Sequence, residues 1–560
     1  MIPKFWIEDL EFSDSSKVKL SKNDIVVLVG PNNAGKSATL KDTAGLLRAS
    51  HFKGKVVKSI SVEREGDENT FFELLESKSV INNSGGQPLY SGFGFSFYKS
   101  VGLSHWNNYK NGIQNAFSIF ANVLTTESRL QAANPPGNIQ ITKEALQHPI
   151  HFLQKSDSLE SKFSEYFMQA FGTDLIVHRN AGSIVPLYIG DKPTFETGED
   201  RISESYLMKV EKLDLLHEQG DGMRSFVGVL LNTFISNFSI LFIDEPEAFL
   251  HPPQARLLGK MLAKDLPSNR QLFLATHSES FLKGLLDANV SNLKIIRIQR
   301  NGTVNNVSTL NSSEINDIWN DSLLRHSNVL DGLFHSKVVI CESDSDSRFF
   351  SAVLSSQYDD TNSIAPDILF INCGGKHRIP TAIKALKKLN VPVQVVADFD
   401  VLNDINPLKE IYEQLGGKWS DIESDWKLVK REVELKRPEL LTEDLKKDIE
   451  NILANTSERI FPKSKTIEIQ KALKKASPWT EAKEVGKAFI PSGNATQAFE
   501  KLQVKFIEKG LLIPEVGELE SFVKSVGNHG PKWVSEVLSK DLKNDKELEL
   551  ARQFVNQMLT

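Results

Sequence analysis

The chain has 560 residues, 40% hydrophobic and 25% charged, with a formal net charge of -6. That length exceeds what a single hydrophobic core serves and predicts at least two domains, in a composition ordinary for a soluble globular protein. No apolar run is long enough to cross a bilayer, and the negative balance excludes coating of nucleic acid by bulk electrostatics, though not a local basic groove.

The opening Met1-Ile2-Pro3-Lys4-Phe5-Trp6 has no cationic segment followed by an apolar core, which predicts a cytoplasmic protein rather than a secreted one. Downstream, Asp24 to Val29 is a β-branched run that reads as a buried strand. It feeds into Gly30-Pro31-Asn32-Asn33-Ala34-Gly35-Lys36-Ser37, and Ala38-Thr39-Leu40-Lys41 then opens a helix. Strand, glycine-rich turn and helix form the context in which G-x-x-x-x-G-K-S cradles phosphates. The backbone N–H groups of Gly30, Asn32, Asn33 and Gly35 turn inward and the helix N-terminus adds positive potential. Lys36 reaches the β- and γ-phosphates of ATP, and the Ser37 hydroxyl sits on its Mg²⁺.

Thr70 to Leu75 and the Gly-, Ser- and Phe-rich stretch Ser84 to Ser100 predict strands and turns. Lys143 to Phe171 carries apolar residues at helical spacing and predicts a helical insertion at about 140–172. Ser239-Ile240-Leu241-Phe242-Ile243-Asp244-Glu245 is an apolar strand ending in two acids, Asp244 for magnesium and Glu245 to polarise the attacking water. Gln271 to Ser278 is a further strand with His277 at its end, placed to sense the γ-phosphate.

A second set of strand–helix units begins at Lys337 to Ile340 and repeats at Asp367 to Ile371 and Val391 to Ala397. Such repeats predict a parallel sheet with its functional residues at the strand C-terminal ends. Glu342 and Asp346 are four apart, and Asp398 and Asp400 are two apart on an extended segment. Each pair can therefore face one way, and clustered oxygen ligands suit Mg²⁺ or Mn²⁺. Asp404 is a further possible ligand. Cys341 and Cys373 each closely follow an apolar run, which predicts buried free thiols. The basic groups Lys376-His377-Arg378, Lys384 with Lys387-Lys388, and Lys427 to Lys436 read as solvated helix faces. Asp421 to Lys465, part of a charged insertion at about 421–490, reads as a solvated helical arm.

Asp244-Glu245-Pro246-Glu247-Ala248-Phe249-Leu250-His251-Pro252 resembles the Walker B segment of ABC-type ATPases of the RecF, SMC and OLD group, and Phe5 to Leu10 resembles their opening strand. Gln219-Gly220-Asp221-Gly222-Met223-Arg224-Ser225 falls where that group carries its signature loop, departing from the usual Ser-Gly-Gly. The resemblance implies a homodimer or higher oligomer, because the signature of one subunit closes over the nucleotide of another. Glu342, Asp398 and Asp400 match the Toprim pattern of a Glu after the first strand and Asp-x-Asp after the third, and Asp346 matches the additional acid of OLD-type Toprim domains. Glu518, Glu520 and Lys532 fit the acidic pair and lysine near the C-terminus of that group.

Head then Toprim resembles the OLD (overcoming lysogenization defect) family of ATP-linked nucleases. The resemblance implies an α/β chain: an ABC-type, RecF/SMC-like head over 1–330, then a Toprim domain of parallel sheet and flanking helices over 331–560. It further implies two metals at the carboxylates, one activating water and one stabilising the leaving 3′ oxygen, with Lys532 neutralising charge on the phosphate. DNA would be the substrate and no membrane a partner. Some similar proteins serve in anti-phage systems, including beside a retron reverse transcriptase with its DNA/RNA product. The eight tyrosines show no domain built around a nucleophile, which sets a topoisomerase aside. A RecF/SMC-like DNA-binding sensor is the alternative reading.

Overall fold

The structure is a computed structural model that describes residues 3–559 apart from 84, 85, 93, 94, 142, 145, 236, 237, 312, 313, 315–318, 321–327, 360–362, 437–441 and 475–477; the side chains of 115, 311, 471 and 474 are also left undescribed. Two compact units divide the chain, Met1–Asp321 and Ser322–Thr560.

The first unit is built on a six-stranded sheet of β1 (Ile25–Val29), β2 (Ala121–Leu124), β3 (Ile240–Asp244), β4 (Gln271–Ala275), β5 (Leu293–Asn301) and β6 (Val304–Asn311). The strand order is β6-β5-β1-β4-β3-β2, parallel throughout except that β6 returns antiparallel to β5. Every residue of β1 and β4 is buried, as continuous apolar runs require when a parallel sheet is covered on both faces. Because β1, β3 and β4 run side by side in register, Gly30, Asp244 and Thr276-His277 emerge at one edge of the sheet. The opening strand Lys4–Phe12 pairs antiparallel with Lys17–Lys19 and Val57–Glu65. An aromatic group seals that region, with Phe71 stacked on Trp106 at 4.8 Å and Phe5 edge-on to Phe120 at 4.8 Å.

Thr70 to Leu75 is helical, within Glu68–Lys78, not strand and turn. Asp67 caps this helix, accepting from the Thr70 N–H, and Phe71 and Leu75, four apart, bury one face. In the stretch Ser84 to Ser100, strands Leu89–Gly92 and Phe95–Tyr98 form and a helix starts at Lys99; positions 84, 85, 93 and 94 of that expectation lie outside the described residues. The helical insertion comprises Pro149–Lys155 and Asp157–Phe171, its positions 142 and 145 lying outside them.

The second unit holds a four-stranded, fully parallel sheet of β7 (Lys337–Cys341), β8 (Ile368–Asn372), β9 (Val393–Val396) and β10 (Leu511–Leu512), ordered β8-β7-β9-β10. The turn Val329–Phe334 packs on this unit, Gly332 lying against Leu386 and Val338. The charged stretch forms helices Glu423–Lys436, Thr442–Ala454, Lys463–Lys474 and Pro478–Val485, positions 437–441 and 475–477 lying outside the described residues. Its first helix is no solvated arm: Trp426, Val429 and Val433 are buried, and the Trp426 indole donates to the Leu402 carbonyl at 2.8 Å. Both cysteines are free; Cys341 is buried and Cys373 only half-buried. Among the described residues no helix is long and apolar enough to cross a membrane.

Candidate phosphate loop and carboxylate centre

The phosphate loop is shaped by residues that only a tight turn tolerates. Gly30 has φ +145°, and a Cβ there would fall 2.1 Å from the Ile298 carbonyl oxygen. Gly35, at φ +105°, caps the helix Lys36–Arg48, with Asn33 also left-handed at φ 61°. The Asn305 amide donates to the Ala34 carbonyl at 2.5 Å, pinning the loop to β6. Asn32 and Asn33 form its exposed tip. The Lys36 ammonium donates to the carbonyls of Gly30 (2.8 Å) and Pro31 (3.0 Å), which folds it back over the loop.

The strand-end acids converge on this loop. The Ser37 hydroxyl donates to Asp244 Oδ1 at 2.9 Å, so the two predicted magnesium-side residues already touch. Burial raises the Asp244 pKa, reinforced by Glu245 and opposed by the Ser37 hydrogen bond. Glu245 stands at φ 49°, a strained position for a residue with a Cβ, and His277 Nδ1 lies 3.2 Å from its Oε1. Glu247 is buried and accepts from the Thr276 hydroxyl at 2.7 Å. Burial pushes its pKa up.

Sequence reasoning missed Arg129. Fully buried, it donates to the carbonyls of Asp244 (2.6 Å) and Glu245 (2.8 Å) and so holds the acidic turn in place. No motif marks it; only its place in the helix Thr126–Ala132, directly after β2, hints at a strand-end role. In the signature-like segment, Gly220 caps the helix Asp221–Leu230, Arg224 pairs with Asp221 at 3.0 Å, and a Cβ on Gly222 would lie 2.8 Å from the Phe249 carbonyl oxygen.

In the second unit, Glu342 follows β7, and its Oε1 accepts from the Asp398 N–H at 3.0 Å. Glu342, Asp398 and Asp400 bring carboxylate oxygens within 4.8 Å of one another. Asp346 is buried at the start of helix Asp344–Ser356, where its carboxylate accepts from the Ser343 N–H at 2.8 Å and the Ser343 hydroxyl accepts in return. Glu342, Asp346, Asp398, Glu518 and Glu520 line one open cleft of about 590 Å³. Burial and mutual repulsion disfavour the charges of Glu342, Asp346, Asp398 and Glu518. Glu342 is pushed up to about 8, by burial first and then by Asp398 and Asp400. Burial with the neighbouring Asp398 raises Asp346 to about 6, and burial with Glu520 raises Glu518 to about 7. Burial also raises Asp398, against the pull of Lys483. Hard-oxygen groups crowded in this way can hold divalent cations.

Two lysines answer these acids. Lys483 Nζ lies 2.7 Å from Asp398 Oδ2 and 3.6 Å from Asp400 Oδ1, and Lys376 Nζ lies 2.9 Å from Asp400 Oδ2. Burial opposes the Lys483 charge, but Asp398, Asp400 and Glu342 outweigh it and lift its pKa above the ordinary lysine range. Lys376 is thus not part of a solvated basic face, and Lys483 lay unnoticed inside the charged insertion. Lys532 stands exposed at the second position of helix Pro531–Val537 and forms no ion pair among the described residues. Glu520 accepts from the Gly530 N–H at 2.7 Å and lies 3.7 Å from His529, which with Glu518 makes a second possible ligand group. Asp404 points elsewhere, capping helix Ile405–Gln414 and lying 3.8 Å from His377.

Residues 118–283 match the family described as "AAA domain, putative AbiEii toxin, Type IV TA system", and residues 333–400 match "Overcoming lysogenization defect protein-like, TOPRIM domain". An uncharacterized protein of Methanocaldococcus jannaschii is 34% identical over 99 residues, covering 17% of this chain and 86% of that protein. Among solved structures, an SMC head bound to the C-terminal winged-helix domain of ScpA is 16% identical, covering 55% of this chain and 99% of that one at a TM-score of 0.34. The Thermotoga maritima SMC head domain is 11% identical, covering 55% and 99% at a TM-score of 0.28.

Proposed function

The chain belongs to the OLD family, an ATPase domain followed by a Toprim domain, and from that premise we propose that it is an ATP-regulated, divalent-metal-dependent DNA endonuclease. The observation that carries this reading is the convergence of Glu342, Asp398 and Asp400, with Asp346, Glu518 and Glu520 lining the same cleft. Divalent cations bound there would supply an activated water and charge neutralisation for phosphodiester hydrolysis. The chain's own residues set the frame. The Asp398 N–H fixes the Glu342 carboxylate, Lys376 orients Asp400, and Ser343 holds Asp346 at a helix start.

In the head, the loop Gly30 to Ser37 binds the ATP phosphates, Ser37 and Asp244 hold its Mg²⁺, and Glu245, steadied by His277, faces the attacking water. The segment Gln219 to Ser225 serves a second copy of the chain, and the nucleotide sets the activity of the nuclease domain. Defence against phage, with a partner such as a reverse transcriptase and its DNA/RNA product, is the role we infer from the family named for interference with lysogeny.

Incubation of the protein with supercoiled plasmid, Mg²⁺ or Mn²⁺, with and without ATP, tests the reading. Cleavage that stops with EDTA and changes with ATP in the native chain, but not in Lys36→Ala, is the expected result. ATP-dependent retention of uncut plasmid at every metal concentration would favour the DNA-binding sensor instead.

A further inference from the structure

The centre holds an ammonium group where the sequence pattern did not place one. Lys483 lines the same cleft as Glu342, Asp346, Glu518 and Glu520, while Lys532 stands exposed and outside the lining. Its position is fixed by packing: Trp479 and Ala482 bury the helix Pro478–Val485 that carries it. Gly517, at φ +109°, crosses so close that a Cβ would fall 2.1 Å from the Lys483 carbonyl oxygen, and its own carbonyl accepts from the Phe399 N–H at 3.0 Å. One glycine therefore ties together the lysine helix, the Glu518–Glu520 loop and the Asp398–Asp400 turn.

Lys483 pairs most closely with Asp398, at 2.7 Å, and differs from Lys376 in how far it opens to the cleft. Asp400 already has Lys376, which reaches both its carboxylate (2.9 Å) and its carbonyl (3.4 Å) from a more enclosed position. The Lys376 side chain is 18% exposed and that of Lys483 33%, so Lys483 is the one open to the cleft. A flexible four-carbon stem lets the ammonium meet a phosphate oxygen laid across the cleft without leaving the centre.

Resting on the nuclease reading, we propose that Lys483 is the catalytic cation of the carboxylate centre, contacting the scissile phosphodiester and neutralising its charge in place of Lys532. It makes and breaks no bond; it stabilises charge that grows as the phosphate is attacked.

The test uses the full chain with Lys483→Met, which keeps the stem, Lys483→Arg, which keeps the charge, and Lys532→Ala. Two readouts are taken: plasmid cleavage at saturating Mn²⁺, and binding of thymidine 3′,5′-bisphosphate with Ca²⁺, which needs no turnover. Lys483→Met should lower kcat by about 10²–10³-fold. It should also weaken the bisphosphate by about tenfold or more, with Lys483→Arg recovering part of both losses and Lys532→Ala showing neither. If Lys483→Met keeps kcat and bisphosphate affinity and merely needs less metal, the lysine only balances acids and the inference is overturned. Native chain that does not bind the bisphosphate overturns it too. Bisphosphate binding that depends on Lys483 without any DNA cleavage would sink the nuclease reading and leave the phosphate contact standing.

Discussion

At the residue scale, the Lys36 ammonium bridges two carbonyls of its own loop, so its positive charge is poised over the cradle while the backbone turn is set by Gly30, Asn33 and Gly35. Lys36→Ala should therefore keep the fold and weaken a fluorescent ATP analogue by about 10–100-fold in an equilibrium titration, the range for a lost charged hydrogen bond. Arg129 is different. Truncation as Arg129→Met leaves the carbonyls of Asp244 and Glu245 without their buried donor, at about 1–3 kcal/mol each, and urea unfolding should show the loss. His148 gives a pH signature. Its Nδ1 accepts from the Ile150 N–H at 3.2 Å, and burial, then His151, holds its pKa down from 6.5 to about 4. Lys78, Glu144 and Lys155 line the same cavity. A folded pKa below the unfolded one means that the stability from neutral His148 is fully present above about pH 6.5 and is lost as pH falls towards 4. Melting curves between pH 7 and 4 should therefore fall more steeply for the native chain than for His148→Gln. Glu342, Asp398 and Asp400 were legible because strand ends and spacing announce them; Arg129 and Lys483 were not, since a lone buried Arg or a lysine in a charged run has no pattern until the chain folds.

At the element scale, both sites follow from parallel strands whose C-terminal ends share an edge. Long buried runs made β1, β3, β4 and β7 readable in the sequence. The helix Glu68–Lys78 was misread because Phe71 and Phe72 favour strand locally, while the Asp67 cap and the burial of Phe71 and Leu75 decide for helix. β10 is two residues long and joins the sheet only after the whole charged insertion, so no local period marks it. The crossing at Gly517 is a test at this scale. Gly517→Ala adds a Cβ that overlaps the Lys483 carbonyl and a backbone strain of about 1–3 kcal/mol. Calorimetry should show a lowered unfolding transition and cleavage should fall, whereas Gly527→Ala, where a Cβ meets nothing within 4 Å, should change neither.

At the scale of the whole molecule, the order of the two halves, ATPase then Toprim, was readable because each half repeats strand, turn and helix with its candidate site residues at the turns. The insertion was not, because charged helices look alike whether they bury a face, as Glu423–Lys436 does, or bury nothing, as Thr442–Ala454 does. In the proposed nuclease, DNA is cut at the carboxylate centre. The most direct measurement is nicking of supercoiled plasmid by the native chain and by Glu342→Gln, side by side, across a Mg²⁺ and Mn²⁺ titration in the presence and absence of ATP. Glu342→Gln keeps shape and removes one charge, so the account predicts a loss of at least about a hundredfold at every metal concentration. Equal nicking by the two proteins would contradict it.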